Sequence, residues 1–563
     1  MCRVMQRLIT NKSLFASFSS EKEGIGRPVR RGWQGAALAA LLGACVPAAS
    51  QAASPQAGPD SASALVAAMR AGRLAPDSLV RRYRARIART DAGPDGLHAI
   101  LALNPDAVAQ AAALARMRRV RGPLYGLPIM VKDNIETRDP LPTTAGSLAL
   151  LGNVTHRDAP VIARLRAAGA IVLGKGNLSE WANFRSAHAS SGWSAVGGLT
   201  RNPYDRARTA CGSSAGSAVA VAAGLAAAAI GTETNGSVTC PAAVNGIVGL
   251  KPTVGLVSRT FVVPISASQD TPGPMTRTVR DAALLLGVMA GSDPADPATA
   301  QADRHRADYL AGLTPDALRG RRIGVLRFAQ GKNPELRAVF DAALARLRAQ
   351  GATLVEIGEF DRKSLGDAEL TVLLSEFRTG VNVYLAQTPP AVKTRDLTAL
   401  IAFDVAHADR EMPSFEQDIF EESDKAPALS DPAYLTARAT ARRLAGAEGI
   451  DAMLAHDRLD ALVAPTTGPA WLTDLVLGDR PGDGTGAGTL AAVAGYPHLS
   501  VPMGRVRGLP VGLSFIGTAW SEPALLAMGY AYEQAMAGGQ GLTPQQFPPD
   551  GRSPGRPANR SGN

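Results

Sequence analysis

Cys211-Gly212-Ser213-Ser214-Ala215-Gly216-Ser217 is the stretch on which the fold turns. Gly212 to Gly216 satisfies the G-x-S-x-G spacing of a nucleophile elbow, with Ser214 at the serine position. An elbow needs an apolar strand immediately upstream. The approach here, Arg201-Asn202-Pro203-Tyr204-Asp205-Arg206-Ala207-Arg208, is polar and broken by proline. The elbow therefore fails on context, and the serines belong to a loop. Downstream, Ser217 to Ile230 is almost wholly Ala, Val, Leu and Gly, too uniformly apolar for a surface helix, so a buried helix is expected there. Its start would offer free backbone N–H groups beside Ser213 and Ser214.

Two neighbouring stretches supply the rest of a catalytic inventory. Upstream, Leu127-Pro128-Ile129-Met130-Val131 is mostly apolar and ends in Lys132, like a residue at the mouth of a buried strand. Poor solvation of an ammonium there favours the neutral amine, which in tuned catalytic lysines brings the pKa to about 7–8. Taken alone, Lys132 reads first as a strand-end lysine snorkelling to water or paired with Asp133. Downstream, Gly231-Thr232-Glu233-Thr234-Asn235-Gly236-Ser237 can bend so that successive N–H groups meet at one point, as an oxyanion hole requires, or form an ordinary Gly-Ser turn. Together these stretches are the minimum equipment for a serine nucleophile activated without histidine.

Other hydrolytic and nucleotide chemistries lack their residues. None of the seven histidines falls in a His-Glu-x-x-His pattern or a Cys/His cluster, which argues against a zinc hydrolase. Gly246-Ile247-Val248-Gly249-Leu250-Lys251 continues into Pro-Thr with the wrong glycine spacing for a phosphate loop. The net charge of +10 is concentrated at the ends: residues 1–52 carry seven Lys/Arg against two Glu, and residues 544–563 three Arg against one Asp. No basic patch remains to bind nucleic acid.

With the three stretches in place, the chain resembles the amidase signature family, from about Leu65 to Gln534 and most densely from Gly122 to Arg277. Gly249-Leu250-Lys251-Pro252-Thr253, Asp270-Thr271-Pro272-Gly273-Pro274-Met275, Ala494-Gly495-Tyr496-Pro497, Val501-Pro502 and Gly508-Leu509-Pro510-Val511-Gly512 also fit its pattern. The resemblance implies an α/β fold, a large mixed β-sheet covered by helices on both faces in a single catalytic domain. It implies a Ser-cis-Ser-Lys triad: Lys132 as base, Ser213 in a cis peptide as proton relay, and Ser237 as nucleophile. The oxyanion donors would be the backbone N–H groups of Thr234, Asn235, Gly236 and Ser237. Ala215 stands where the family more usually has glycine, and Asn235 where Gly or Asp is common; neither touches a triad side chain. No metal or organic cofactor is required.

Within the family the chain resembles bacterial peptide amidases, through Ser179-Glu180-Trp181-Ala182-Asn183-Phe184-Arg185 and Cys240-Pro241-Ala242-Ala243-Val244-Asn245-Gly246. Val254-Gly255-Leu256-Val257-Ser258-Arg259 and Pro264-Ile265-Ser266 extend that likeness. The implied reaction releases ammonia from C-terminally amidated peptides; broad-specificity or fatty-acid amide hydrolysis, and a catalytically silent envelope-binding protein, are the alternatives. Cys240 stands where relatives acting on acidic amides place a carboxylate-clamping arginine, so a neutral carboxamide is favoured. Trp181, Phe184 and Trp193 are candidate pocket walls or plain packing. The substrate would be a small-molecule or short-peptide amide, with no obligate protein partner.

Along the chain, residues 61–543 read as the catalytic domain. Helices are expected over 61–90, broken at Pro76 with Asp77-Ser78 as a cap, over 105–119 and over 159–169. Strands follow at 171–174, 246–250, 322–327, 353–357, 461–465 and 511–516, an alternation that fits a sheet between helices. Residues 389–430, with prolines and acidic residues from Asp409 to Asp424, read as an insertion: a loop over the cleft or a solvated helical segment.

Arg27, Arg30 and Arg31 precede the apolar run Ala36 to Val46 and the small-residue site Ser50-Gln51-Ala52, so residues 1–52 read as an export signal, followed by a linker at 53–60. Leu42-Gly43-Ala44-Cys45 resembles a bacterial lipobox, whose use would tether the enzyme to a membrane through Cys45. The expected location is periplasmic or secreted. Residues 544–563 read as a disordered tail. Cys211 and Cys240 flank the two serines, and two buried free thiols are expected rather than a disulfide.

Overall fold

The computed structural model describes residues 61–117, 122–361, 363–481 and 484–537. The export signal, lipobox, linker and tail assigned above lie outside the described residues. Thirteen strands are present among them: β1 (Ile100–Leu103), β2 (Pro128–Lys132), β3 (Ile171–Gly176), β4 (Trp193–Ser194), β5 (Gly198–Leu199), β6 (Ala228–Glu233) and β7 (Val248–Lys251). The later ones are β8 (Thr271–Thr276), β9 (Arg322–Leu326), β10 (Thr353–Ile357), β11 (Ala461–Pro465), β12 (His498–Val506) and β13 (Leu509–Ile516).

Eleven of these form one mixed sheet in the order β1-β3-β2-β6-β8-β7-β12-β13-β11-β9-β10, and β4 with β5 form a separate two-stranded ribbon. The catalytic half centres on β2, which runs parallel to both β3 and β6. Every residue of β2, β3 and β6 is buried, as expected for parallel strands covered on two faces. Successive residues of β12 show both covers. Leu499 meets Gly529 in the helix Glu522–Ala537, while Ser500 faces Gly512 on the side where Ala243 of the helix Thr239–Val244 approaches.

The apolar run after the serine loop is not one helix. The helix occupies Ala215–Ala222, and Ala228–Glu233 is a central strand of the sheet. Gly224, at φ +69°, makes the break: Leu225 donates to Ala220 O at 2.7 Å and Gly224 to Val221 O, the closure of a Schellman turn. A uniformly apolar run has no period, so buried helix and buried strand read alike.

Residues 389–430 form no loose loop. They carry the helices Leu397–Ala406, Ala408–Glu411 and Asp418–Asp424, and Leu397, Leu400 and Phe420 are fully buried in a second apolar core with Trp181, Phe184 and Phe377. The segment is helical and packs one side against that core, while residues such as Val405 remain exposed on the other.

Candidate active site

Lys132 ends β2, and Thr232 stands near the end of the neighbouring β6, so both face the edge where the parallel strands finish, the usual ligand position in such sheets. The lysine is fully buried. Its Nζ lies 2.7 Å from Ser213 Oγ, 2.8 Å from Thr232 Oγ1 and 3.1 Å from Thr232 O. All three partners are neutral. Burial pushes the amine down to about 7, against the opposing pull of the Asp270 and Glu233 carboxylates. Asp133 does not compensate Lys132, because it pairs with Lys175 at 3.3 Å and accepts from Thr144 N. The next residue along the chain is thus turned to a different lysine, which leaves Lys132 for the serine loop.

The peptide bond between Gly212 and Ser213 is cis. Ser213 is buried, and its carbonyl accepts from Ser179 N at 3.0 Å. Ser214, the serine of the elbow spacing, acts as a staple: its Oγ donates to Thr232 O at 3.1 Å and its N–H donates to Ser237 O at 3.1 Å. This last bond brings the serine loop directly onto the turn that carries Ser237.

That turn, Thr234 to Ser237, joins β6 to the helix Thr239–Val244, and three groups that went unassigned in the sequence hold it. Glu233 Oε2 accepts from Val238 N at 2.8 Å, Thr239 N at 2.9 Å and Thr239 Oγ1 at 3.1 Å. Asp270 Oδ1 accepts from Thr234 Oγ1 at 2.5 Å, and its other oxygen takes Ile265 N and Ser266 N. Glu369 Oε1 accepts from Asn235 Nδ2 at 2.8 Å and Gln269 Nε2 at 2.9 Å. Among the described residues, no acceptor takes the backbone N–H of Asn235, Gly236 or Ser237. Ser237 itself is nearly enclosed, at 8% exposure.

Trp181 is 1% exposed and meets Phe420 edge-on at 5.9 Å; Phe184 packs on Phe377 at 5.0 Å and Trp193 on Phe415 at 5.1 Å. All three belong to apolar clusters. Cys211 and Cys240 are joined in a disulfide, not left as two free thiols. Packing preference alone treats each cysteine as a small hydrophobe, and the fold, by laying the serine loop along the helix Thr239–Val244, brings the two Cα atoms to 6.1 Å, a separation a disulfide spans. His498 is buried on β12, its Nε2 2.6 Å from Ser514 Oγ, and burial pushes it down to about 4. Among the described residues, no group of His, Cys, Asp and Glu is arranged to hold a metal ion.

A mixed sheet presenting a buried lysine against a serine loop, with a donor-rich turn beside it, defines an amide-hydrolysing enzyme. The amidase family matches residues 78–526, and the chain belongs to it, as an amidase signature enzyme. A probable amidase of Arabidopsis thaliana is 37% identical over 82% of this chain and 87% of its own length. One of the polypeptides of the glutamyl-tRNA(Gln) amidotransferase of Chloroflexus aggregans is 36% identical over 84% and 95%. Among solved structures, the native peptide amidase of Stenotrophomonas maltophilia is 52% identical with a TM-score of 0.79, over 84% of this chain and 96% of that one.

Proposed function

We propose that the enzyme removes ammonia from C-terminal peptide carboxamides through an acyl-enzyme, with Lys132, Ser213 and Ser237 as its triad. One observation carries this reading: an amine that is half deprotonated near neutrality stands 2.7 Å from the hydroxyl of a serine whose neighbour is bonded to Ser237. The neutral Lys132 Nζ takes the Ser213 proton while Ser213 Oγ takes that of Ser237, and Ser237 Oγ attacks the amide carbon. The carbonyl oxygen becomes an oxyanion received by the N–H groups of the Thr234–Ser237 turn, where each well-aimed donor contributes roughly 3 kcal/mol. Lys132 returns its proton through Ser213 to the departing nitrogen, which leaves as ammonia. Water then hydrolyses the ester on Ser237.

The peptide substrate is supported by the 52% identity to a peptide amidase, against 36% for the amidotransferase polypeptide. Export of the chain is part of the same reading: a disulfide suits an oxidising compartment. The test is ammonia release from amidated dipeptides, set against acetamide, benzamide and fatty amides, for wild type, Ser237→Ala and Lys132→Ala. Both variants are expected to lose at least about a thousandfold in kcat. A wild type inert on every amide, or variants with full rate, would sink the reading.

A further inference from the structure

The two segments that carry the serines are tied unevenly. On the upstream side, Asn245 Nδ2 reaches Ala210 O at 2.9 Å, and Asn202 Nδ2 reaches both Thr209 O at 3.0 Å and Val244 O at 3.2 Å. These clamp the approach to the loop along the helix Thr239–Val244. On the far side, Ser214 N reaches Ser237 O. Between those clamps, from Cys211 through Ser213, hydrogen bonds run within the loop or to Lys132 and Ser179: Cys211 N to Thr209 Oγ1, Lys132 Nζ to Ser213 Oγ, and Ser179 N to Ser213 O. Over that interval, among the described residues, the tie to the Ser237 turn and its helix is the Cys211–Cys240 bond. It enters two residues before Ser213 and leaves three residues after Ser237. Cys240 N also donates to Gly236 O at 2.8 Å, so the restraint reaches the turn itself.

We propose that the Cys211–Cys240 disulfide is a positioning device for the reaction, a covalent strut that holds the Ser213 loop in register with the Ser237 turn, so that the oxidised chain is the active form. The proposal rests on the serine assignment made above. A relay of two hydroxyls works only while both stay within about 2.6–3.2 Å of their partners, and a misplacement near 1 Å can cost about a hundredfold in rate. Hydrogen bonds leave such slack in a loop; a covalent bond removes it. Val244, Ala470 and Trp471 pack around the pair, so the strut is shielded as well as short.

The test compares oxidised wild type, wild type reduced with dithiothreitol, and the double variant Cys211→Ala/Cys240→Ala. Three quantities are read: the rate at which a fluorophosphonate labels Ser237, kcat and KM on an amidated dipeptide, and folding by circular dichroism. Reduction and the double variant are expected to slow labelling and kcat about tenfold or more, with KM within about twofold and the fold retained. Reoxidation of the wild type is expected to restore the rate. A folded, reduced enzyme that labels at the oxidised rate overturns the proposal. So does a loss that merely tracks the unfolded fraction, since the bond would then be a staple of the fold. Should the double variant fail to fold, the reduced wild type decides by the same criteria. If peptide amides are not hydrolysed while labelling still depends on the bond, the substrate reading falls and the strut stands.

Discussion

As the proposed base, Lys132 must be neutral to accept a proton, and its burial favours the neutral amine. With the folded amine at about 7 and an unfolded lysine near 10.4, the native state holds fewer protons than the unfolded chain across that window. Two results follow at this one residue. The rate kcat/KM should climb with pH through about 7 and level off above it, as the amine loses its proton. Lys132→Met should be inactive yet melt higher than wild type, most of all below pH 7, where the native lysine must be charged in a dry site. The gap should narrow toward pH 10; thermal melts at pH 6 and 9 measure it, and a constant gap would refute the argument. The residue was legible in sequence as an apolar run ending in lysine, but its freedom from Asp133 was not. That depends on Lys175, which arrives from β3 and takes the carboxylate. Glu233, Asp270 and Glu369 were illegible for a similar reason, because each acts on backbone or side-chain groups brought to it by the fold, from as far as 134 positions away in the case of Glu369 and Asn235.

Elements were readable where they alternate in character and unreadable where they do not. The strands at 353–357 and 461–465 match their expected bounds, since each is a short β-branched or apolar run between polar or helical neighbours. β8 gave no such signal: Thr271-Pro272-Gly273-Pro274-Met275-Thr276 holds two prolines and a glycine, yet it lies in mid-sheet between β6 and β7. The glycine has a steric reason, since a Cβ at Gly273 would lie 2.1 Å from the carbonyl oxygen of Leu250 on β7. That obstacle is backbone in a buried sheet and cannot rotate aside. Gly273→Ala is therefore expected to lose about 3 kcal/mol of stability, read as a shifted urea midpoint, through a forced separation of the two strands. β8 also leads out of Asp270, which anchors Thr234, so kcat should fall with stability even in the fraction that remains folded. A variant with wild-type midpoint would show that the sheet opens there without strain.

At the scale of the whole molecule the family resemblance made the sheet and its two helical covers legible, while the second apolar core, around Trp181, Phe377 and Phe420, was not. Its helices come from residues 363–424; those beyond 389 lie in the insertion whose prolines and acidic residues suggested a loop or a solvated segment, and some of those acidic residues are enclosed instead. Asp404 shows the consequence. It is fully buried, neither of its oxygens has a hydrogen-bond partner, and burial, with help from the Glu411 charge, pushes it up to about 8 against the pull of Arg185. An unfolded aspartate titrates near 3.9, so between about pH 4 and 8 the native state holds the extra proton and stability must fall as pH rises. Asp404→Asn keeps the shape and has no proton to lose. Its stability relative to wild type should grow across that window, by roughly 3–4 kcal/mol between pH 5 and pH 8, measured by urea unfolding at those two values. Because the side chain lies by the second core and touches none of the three proposed catalytic residues, kcat should stay within about twofold. A stability difference that does not change between the two pH values would mean that Asp404 is already ionised in the fold, and that its burial does not hold it neutral.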